Sequence, residues 1–275
     1  MLKYDLKNGI IQRAAWLLLP IIIFLIALVR ISSYAEFYDY GMNLGKCIFV
    51  ALAGNSSIES AGKHFSVPIL WLTIQMGCVL FTLEYPLRDL NLFGRQIIVR
   101  CEKRYKWWLS KCIWCVLSVL IYWMVGILMM SAFCLIKHFP LSLMINSETA
   151  ASVLTDFDTD FKSFESGNAF WLLILVPIVM SAVLCMIQML ISILKNEIAA
   201  LCISVFVIVW SMCSLNPIAF LNYAMFQRMS LFYDNGVNVY AGFTAALAII
   251  VCIIVLGIYK FNRMDILEVK KNAAD

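Results

Sequence analysis

Few residues in this chain are of the types that do chemistry, and their spacing gives no complete catalytic or metal-binding set. The only histidines are His64 and His138. Cys112 and Cys115 have the C-x-x-C spacing of redox and zinc sites, but no second cysteine pair or histidine accompanies them, so a structural role is favoured. H-E-x-x-H, G-x-S-x-G and G-x-x-x-x-G-K-[ST] motifs do not occur. The sequence therefore predicts no catalytic residue, cofactor site or metal site, and any nucleotide is expected to bind another chain.

The amino-acid composition indicates whether the chain folds in water or in a membrane. Hydrophobic residues make up 63% of its 275 residues and charged residues only 14%. Soluble proteins contain roughly 45–50% and about 25% of these classes, and a soluble domain needs a polar surface that this chain cannot supply. The composition therefore predicts an integral membrane protein. The net charge of +4 is too small to indicate nucleic acid as a partner.

Six apolar stretches approach the roughly 20 residues that a helix needs to cross a bilayer. Backbone groups cannot stay unpaired in lipid, and the stretches do not alternate in polarity as barrel strands do, so each is predicted to be helical. We expect an all-α bundle of six transmembrane helices forming one domain over residues 1–275. The predicted spans are 14–29, 67–83, 112–136, 170–194, 198–215 and 240–259.

The basic residues predict the orientation of this bundle. With the N-terminus inside, 15 of the 21 Lys and Arg residues lie in inner segments, whereas the outer loop after the third span is acidic. Because Lys and Arg favour the cytoplasmic side, we expect a multi-pass protein of the cell membrane with both termini in the cytoplasm.

The inner connection between the second and third spans is the most informative segment. On a helical wheel of residues 88–108, apolar and aromatic side chains share one face, and basic side chains lie opposite. Pro86 disfavours continuation of the preceding helix, and Trp107 and Trp108 are expected at headgroup depth. Two interpretations are open. The segment either binds anionic lipid and fixes the topology, or it is a coupling element docked on a partner that moves it.

This connection resembles that of the ABC type-2 permeases, the membrane subunits of one large class of bacterial ABC exporters. The matching residues are Gly94-Arg95, Arg100, Arg104, Trp107-Trp108-Leu109 and Lys111, which lead into a helix. The tail Tyr259-Lys260-Phe261-Asn262-Arg263-Met264-Asp265-Ile266 resembles the ending of that family. The Lys195-Asn196-Glu197 hairpin and Asn216-Pro217 fit the same layout.

The resemblance implies a permease subunit that works as a homo- or heterodimer with cytoplasmic ABC ATPase subunits, where ATP and Mg would bind. It places re-entrant outer helices near Pro217–Asn238. It implies export of an amphipathic or apolar cargo such as a peptide, drug or lipid. The residues expected to couple to the ATPase are Phe93, Gly94, Arg95, Arg100, Arg104 and Tyr105, and those expected to anchor the segment at the interface are Trp107, Trp108 and Lys111.

Three other functions remain open from the sequence. A scaffold or sensor could recruit a partner through the same basic helix without transporting anything. The substrate-binding membrane subunit of a vitamin importer has about as many spans, but it lacks a long amphipathic inner connection. A membrane-embedded enzyme is disfavoured because the catalytic constellations are missing.

Overall fold

The computed structural model describes residues 2–37, 42–55, 66–91, 105–145, 167–168, 170–232 and 236–263. A 3-10 helix, Ile11–Leu17, and a π-helical turn, Trp171–Leu175, lead into two of the longer helices, and the two-residue strands β1 (Met144–Ile145) and β2 (Gly167–Asn168) pair antiparallel. The architecture of these ranges is all-α, as the sequence predicts. The helices are α1 Leu2–Gly9, α2 Leu18–Phe37, α3 Leu44–Leu52, α4 Ile69–Asp89, α5 Tyr105–Ile136, α6 Val176–Leu194, α7 Glu197–Cys213 and α8 Val239–Arg263.

Within the described ranges, five helical segments are long and apolar enough to cross a membrane, and the chain is a multi-pass membrane protein. The segments are Ile11–Glu36, Ile69–Asp89, Tyr105–Ile136, Trp171–Leu194 and Val239–Arg263. The remaining predicted span, 198–215, corresponds to α7. This helix has 17 residues, which extend for roughly 25 Å at 1.5 Å per residue. It is therefore shorter than the roughly 30 Å bilayer core.

The ends of the inner connection lie at positions that the sequence did not predict. We expected the second helix to end near residue 83 and the chain to bend at Pro86, but α4 continues through Pro86 to Asp89. A proline in a helix interior costs about 3 kcal/mol, yet here the continued turn buries Tyr85 and Asp89 against other helices. On the other side of the connection, α5 begins at Tyr105, well before the expected start at residue 112. Both helices thus extend past their apolar stretches because their end residues are buried in protein.

The segment that contains α6 forms the centre of the bundle. In its most apolar window 61% of the residues are buried, compared with 22% in the segment of α8. Helix α6 packs against α4, α5, α7 and α8. Helix α8 instead exposes large apolar side chains such as Val251 and Leu256. These exposed side chains give the protein an apolar surface that suits contact with lipid.

Two glycines let α2 lie close to its neighbours. A Cβ atom at Gly77 of α4 would overlap the side chain of Ile23, and one at Gly126 of α5 would overlap the ring of Phe24. Small residues such as glycine allow membrane helices to approach closely. The contacts of Gly77 and Gly126 are with buried core residues, so both are packing features of the bundle.

At the end of the bundle away from α1, Arg228 holds the segment that follows α7. Its Nε donates to the Asn55 carbonyl oxygen at 2.7 Å, and its Nη1 donates to Asn222 Oδ1 at 2.6 Å. The guanidinium also donates to the carbonyl oxygens of Ser211 and Met212. Burial lowers the pKa of Arg228 to about 10, which leaves it charged at neutral pH. The described part of the stretch expected to hold re-entrant helices thus forms two short 3-10 turns, Phe220–Ala224 and Phe226–Arg228.

Candidate functional site

Three charged side chains meet inside the protein where α1, the end of α4 and the start of α5 come together. We call Asp5, Asp89 and Lys111 the ion cluster. Lys111 Nζ contacts Asp5 Oδ1 and lies 2.7 Å from Asp89 Oδ2. The Lys111 side chain has 0% of its surface exposed, and each carboxylate side chain has 3%. Residues from three separate parts of the chain therefore share one buried ionic contact.

Neighbouring side chains donate further hydrogen bonds to the two carboxylates. The Tyr85 hydroxyl donates to Asp5 Oδ1 at 2.8 Å, and the Ser110 hydroxyl donates to Asp5 Oδ2. Trp107 Nε1 donates to Asp89 Oδ2 at 3.2 Å. The Lys111 ammonium also lies 4.6 Å from the centre of the Tyr85 ring. Each carboxylate thus accepts from one charged and one neutral donor. A buried ion needs such partners to offset the cost of its burial.

The ion cluster fixes both ends of the inner connection to each other. Asp89 is the last residue of α4, and Lys111 lies in the second turn of α5. Removing one partner of a buried pair typically costs 3–5 kcal/mol, because the other charge stays buried without compensation. The ends of the connection cannot separate without breaking this contact, so a displacement of one helix end is passed to the other.

The C-terminal helix packs onto the same region through Trp108. The Trp108 ring stacks on Phe261 of α8 with a centroid distance of 5.2 Å, and its Nε1 donates to the Ile254 carbonyl oxygen at 3.1 Å. A Cβ atom at Gly257 would overlap the Trp108 ring, so α8 can approach α5 only with glycine at this position. Trp107 also contacts Phe261, at 5.4 Å between ring centroids. The start of α5 is therefore in contact with α1, α4 and α8.

The residues predicted from the sequence divide into two groups. Tyr105 begins α5 and is partly exposed, whereas Trp107, Trp108 and Lys111 are buried. We expected these last three side chains at the lipid interface, but the structure encloses them in protein. Their apolar neighbours are other helices of the same chain. The other residues assigned to ATPase coupling lie outside the described ranges, namely Phe93, Gly94, Arg95, Arg100 and Arg104.

The sequence pattern did not reveal the two acidic members of the ion cluster. Asp5 is the only acidic residue before the first span, which is a weak signal. Asp89 stands directly after the basic residue Arg88, in the segment that was expected to bind lipid or a partner protein. Neither position could be paired with Lys111 from local pattern alone, since Asp5 and Lys111 are 106 residues apart.

The ion cluster is suited to holding helices together. Both of its carboxylates are engaged by Lys111. Among the residues with described positions, no group of three or more His, Cys, Asp or Glu side chains could hold a metal ion. Cys112 and Cys115 are buried as free thiols in the first turns of α5. The arrangement thus joins α1, α4 and α5 through one buried ionic contact.

A family model described as a protein of unknown function, DUF2705, matches residues 18–267. The chain belongs to the DUF2705 family. Comparison with curated proteins gave no match. Comparison with solved structures gave none either. In this DUF2705 protein the matched range contains Asp89 and Lys111, while Asp5 of α1 precedes it.

Proposed function

We propose that this DUF2705 protein is the permease subunit of an ATP-driven ABC exporter that is powered by a separate cytoplasmic ATPase. The observation that carries the proposal is the buried contact between Asp89 and Lys111 at the two ends of the basic inner connection. A segment that receives force from a partner must pass it to the helices on both sides. The contact between Asp89 and Lys111 joins α4 to α5, so a force on the segment between them would act on both helices.

The charge of the connection supports the same function. Residues 88–111 carry many Lys and Arg side chains, and such side chains pair with the carboxylates of a partner protein across an interface. Lys111 is neutralised inside the bundle, whereas Arg88 at the end of α4 has 56% of its side chain exposed. The basic residues between them are proposed to contact the ATPase, with Phe93 and Tyr105 as the aromatic contacts.

The proposed assembly contains two permease copies and two ATPase subunits in the cell membrane. Helix α7 is proposed as the sixth span despite its shorter length, and it follows α6 after a tight turn in which Asn196 Oδ1 caps α7 by accepting from the Ala199 amide at 2.7 Å. Six spans return the C-terminus to the side of the N-terminus, which is the cytoplasm by the distribution of basic residues. ATP closure of the partner would then tilt the helices as rigid bodies.

The cargo is proposed to be amphipathic or apolar. Away from the ion cluster and Arg228, the interior of the bundle carries buried polar groups without charge, such as Gln75, which accepts from the Ser181 hydroxyl at 3.1 Å, and Gln188, which donates to the Val79 carbonyl oxygen at 3.1 Å. Such a bundle suits a peptide, drug or lipid better than an inorganic ion.

Co-purification tests the proposed partner. Affinity purification of the chain from its native membranes should recover an ATPase with a P-loop. The triple variant R95E/R100E/R104E should lose this ATPase while its amount in the membrane stays unchanged. The control K3E/K7E/R263E reverses three exposed charges outside the connection and should retain the ATPase. Equal recovery of the ATPase with both variants would show that the connection does not bind it.

A second variant separates a transporter from a scaffold that merely recruits a partner. D5N/D89N/K111M removes the ion cluster without leaving a buried charge. In reconstituted complexes, it should keep ATPase binding but lose most of the stimulation of ATP hydrolysis by peptides or lipids. An unchanged stimulation would mean that the ion cluster does not transmit force. A complex that no peptide, drug or lipid stimulates would favour the scaffold or sensor function.

A further inference from the structure

Two cysteine side chains meet where α3 packs on the last turn of α5, at the end of the bundle away from α1. The sulfur atoms of Cys47 in α3 and Cys134 in α5 lie 3.8 Å apart. Both residues are buried, and both are free thiols in the structure. A sulfur–sulfur bond is about 2.05 Å long, so bond formation requires the two sulfur atoms to approach by less than about 2 Å.

Backbone hydrogen bonds hold the two cysteine-bearing segments against each other. The Leu44 amide at the start of α3 donates to the Pro140 carbonyl oxygen at 3.2 Å. The Gly45 amide donates to the Ser142 carbonyl oxygen at 3.0 Å. A Cβ atom at Gly45 would lie 3.0 Å from the backbone of Leu143, so the two backbones are in close contact. The first turn of α3 is therefore fixed beside the chain that leaves α5.

The predicted orientation places this pair on the outer side of the membrane. Helix α5 starts at the inner connection, so its far end, which carries Cys134, lies outside when the N-terminus is inside. Helix α3 belongs to the outer connection between the first and second spans. Disulfides form and persist in the oxidising surroundings outside the cell, whereas cytosolic thiols are kept reduced. Cys47 and Cys134 are thus adjacent thiols at an oxidising surface.

A second cysteine pair with nearly the same spacing lies deeper in the bundle. The sulfur atoms of Cys78 in α4 and Cys185 in α6 are 3.7 Å apart, and both residues are buried. They lie in the middle parts of two spanning segments, whereas Cys134 is close to the end of its segment and Cys47 is outside all five. Disulfide exchange requires a thiolate, and a charge is costly at the centre of a bilayer. The deeper pair should therefore stay reduced.

We propose that Cys47 and Cys134 form a disulfide bond that fastens α3 to the outer end of α5. The bond forms while α3 folds onto α5, before the two thiols are enclosed. The oxidant is a disulfide-bearing compound or protein of the outer side. The Cys47 thiolate attacks one sulfur of this disulfide, which forms a mixed disulfide and releases the other sulfur as a thiol. The Cys134 thiolate then attacks the Cys47 sulfur and releases the second thiol, so the oxidant receives the two electrons and two protons of the cysteines.

Thiol counting on the full chain in its native membranes tests the proposal. The membranes are dissolved in denaturant that contains N-ethylmaleimide, which alkylates every free thiol. Intact-mass spectrometry then counts the adducts on the chain, with and without prior reduction. All 10 cysteines should be alkylated after reduction, and two fewer without it. A proteolytic digest made without reductant should contain a peptide pair joined through Cys47 and Cys134.

Two matched variants identify the bonded pair. C47A/C134A should carry the same number of adducts with and without reduction. The control C78A/C185A removes the deeper pair, which has nearly the same sulfur spacing, and should keep the difference of two adducts. Equal adduct numbers in the unchanged protein, or a cross-linked peptide that joins other cysteines, would overturn the proposal. The proposal rests on the predicted orientation and not on the proposed transport function, and its tests involve no ATPase, so the two can fail separately.

Discussion

Replacing Lys111 by methionine should be the most destabilising single change in the ion cluster. Asp5, Asp89 and Lys111 together carry one net negative charge. K111M leaves two carboxylates, each with 3% of its side chain exposed, without their cation. By contrast, D5N leaves the neutral pair of Asp89 and Lys111, and the asparagine oxygen can still accept from Tyr85. K111M thus removes a positive charge from the buried contact, whereas D5N removes a negative charge from it.

The expected magnitudes follow from this difference. Leaving a buried charge without its partner costs about 3–5 kcal/mol. Converting a charge-assisted hydrogen bond to a neutral one costs about 1–2 kcal/mol. For proteins of roughly this size, 1 kcal/mol shifts the melting temperature by about 2–4 °C. K111M should therefore lower the melting temperature by roughly 10 °C, and D5N or D89N by about 2–8 °C.

Thermal unfolding of the purified protein in detergent, followed by size-exclusion chromatography of the soluble fraction, measures these shifts. The triple variant D5N/D89N/K111M is the matched control, because neutral replacement of a whole buried ionic group is tolerated far better than removal of one member. It should unfold at a higher temperature than K111M. A triple variant no more stable than K111M, or a K111M protein as stable as D5N, would refute the electrostatic reasoning.

Three further substitutions test other contacts by the same unfolding measurement. R228M should lower the free energy of unfolding by at least about 3 kcal/mol, because several buried carbonyl oxygens lose their donor at about 1–3 kcal/mol each. R228K should recover part of this loss, and an R228M protein as stable as the unchanged one would contradict the role of Arg228. G257L should lower the free energy of unfolding by about 1–3 kcal/mol through overpacking and should shift the fluorescence of Trp108 towards that of an exposed indole. An unchanged spectrum would contradict the contact between Gly257 and Trp108. W108F keeps a ring against Phe261 but loses the hydrogen bond to the Ile254 carbonyl oxygen, so it should lower the free energy of unfolding by about 1 kcal/mol. W108A should lower it by about 3–5 kcal/mol, and similar losses for both variants would argue against ring stacking.

The existence of the long helices could be predicted because hydropathy accumulates over about 20 residues of sequence. The bounds of α4 and α5 could not be predicted in this way. Hydropathy indicates which residues suit lipid, whereas these helices continue into a region where their neighbours are protein. Asp89 and Lys111 are polar and lie beyond the apolar stretches, yet both are buried. Their burial depends on each other and therefore on the folded bundle.

The helical wheel of the inner connection predicted an apolar face that includes Trp108, and Trp108 is buried in the structure. The wheel could not predict what covers this face. Lipid and protein are equally apolar neighbours to a single helix, and the choice of α8 depends on Gly257, which lies far along the chain. The coupling role of Arg95, Arg100 and Arg104 stays a prediction, because these residues lie outside the described ranges.

The shorter length of α7 has a local cause that the apolar composition concealed. Residues 198–215 are almost uniformly apolar or small, and their hydropathy alone predicted a helix through residue 215. The helix ends at Cys213, where Ser214 takes an extended conformation. The carbonyl oxygens of Ser211 and Met212 are instead bound by Arg228. A single arginine from a later segment thus holds the end of this helix.

The location of Asp5 has a consequence for the synthesis of the protein. Asp5 is made 106 residues before its cation Lys111. Since chains fold from the N-terminus as they are made, the first two membrane helices insert while this carboxylate is still hydrated at the membrane surface. The ionic contact of α1 can form only after the third long helix, which carries Lys111, has been made.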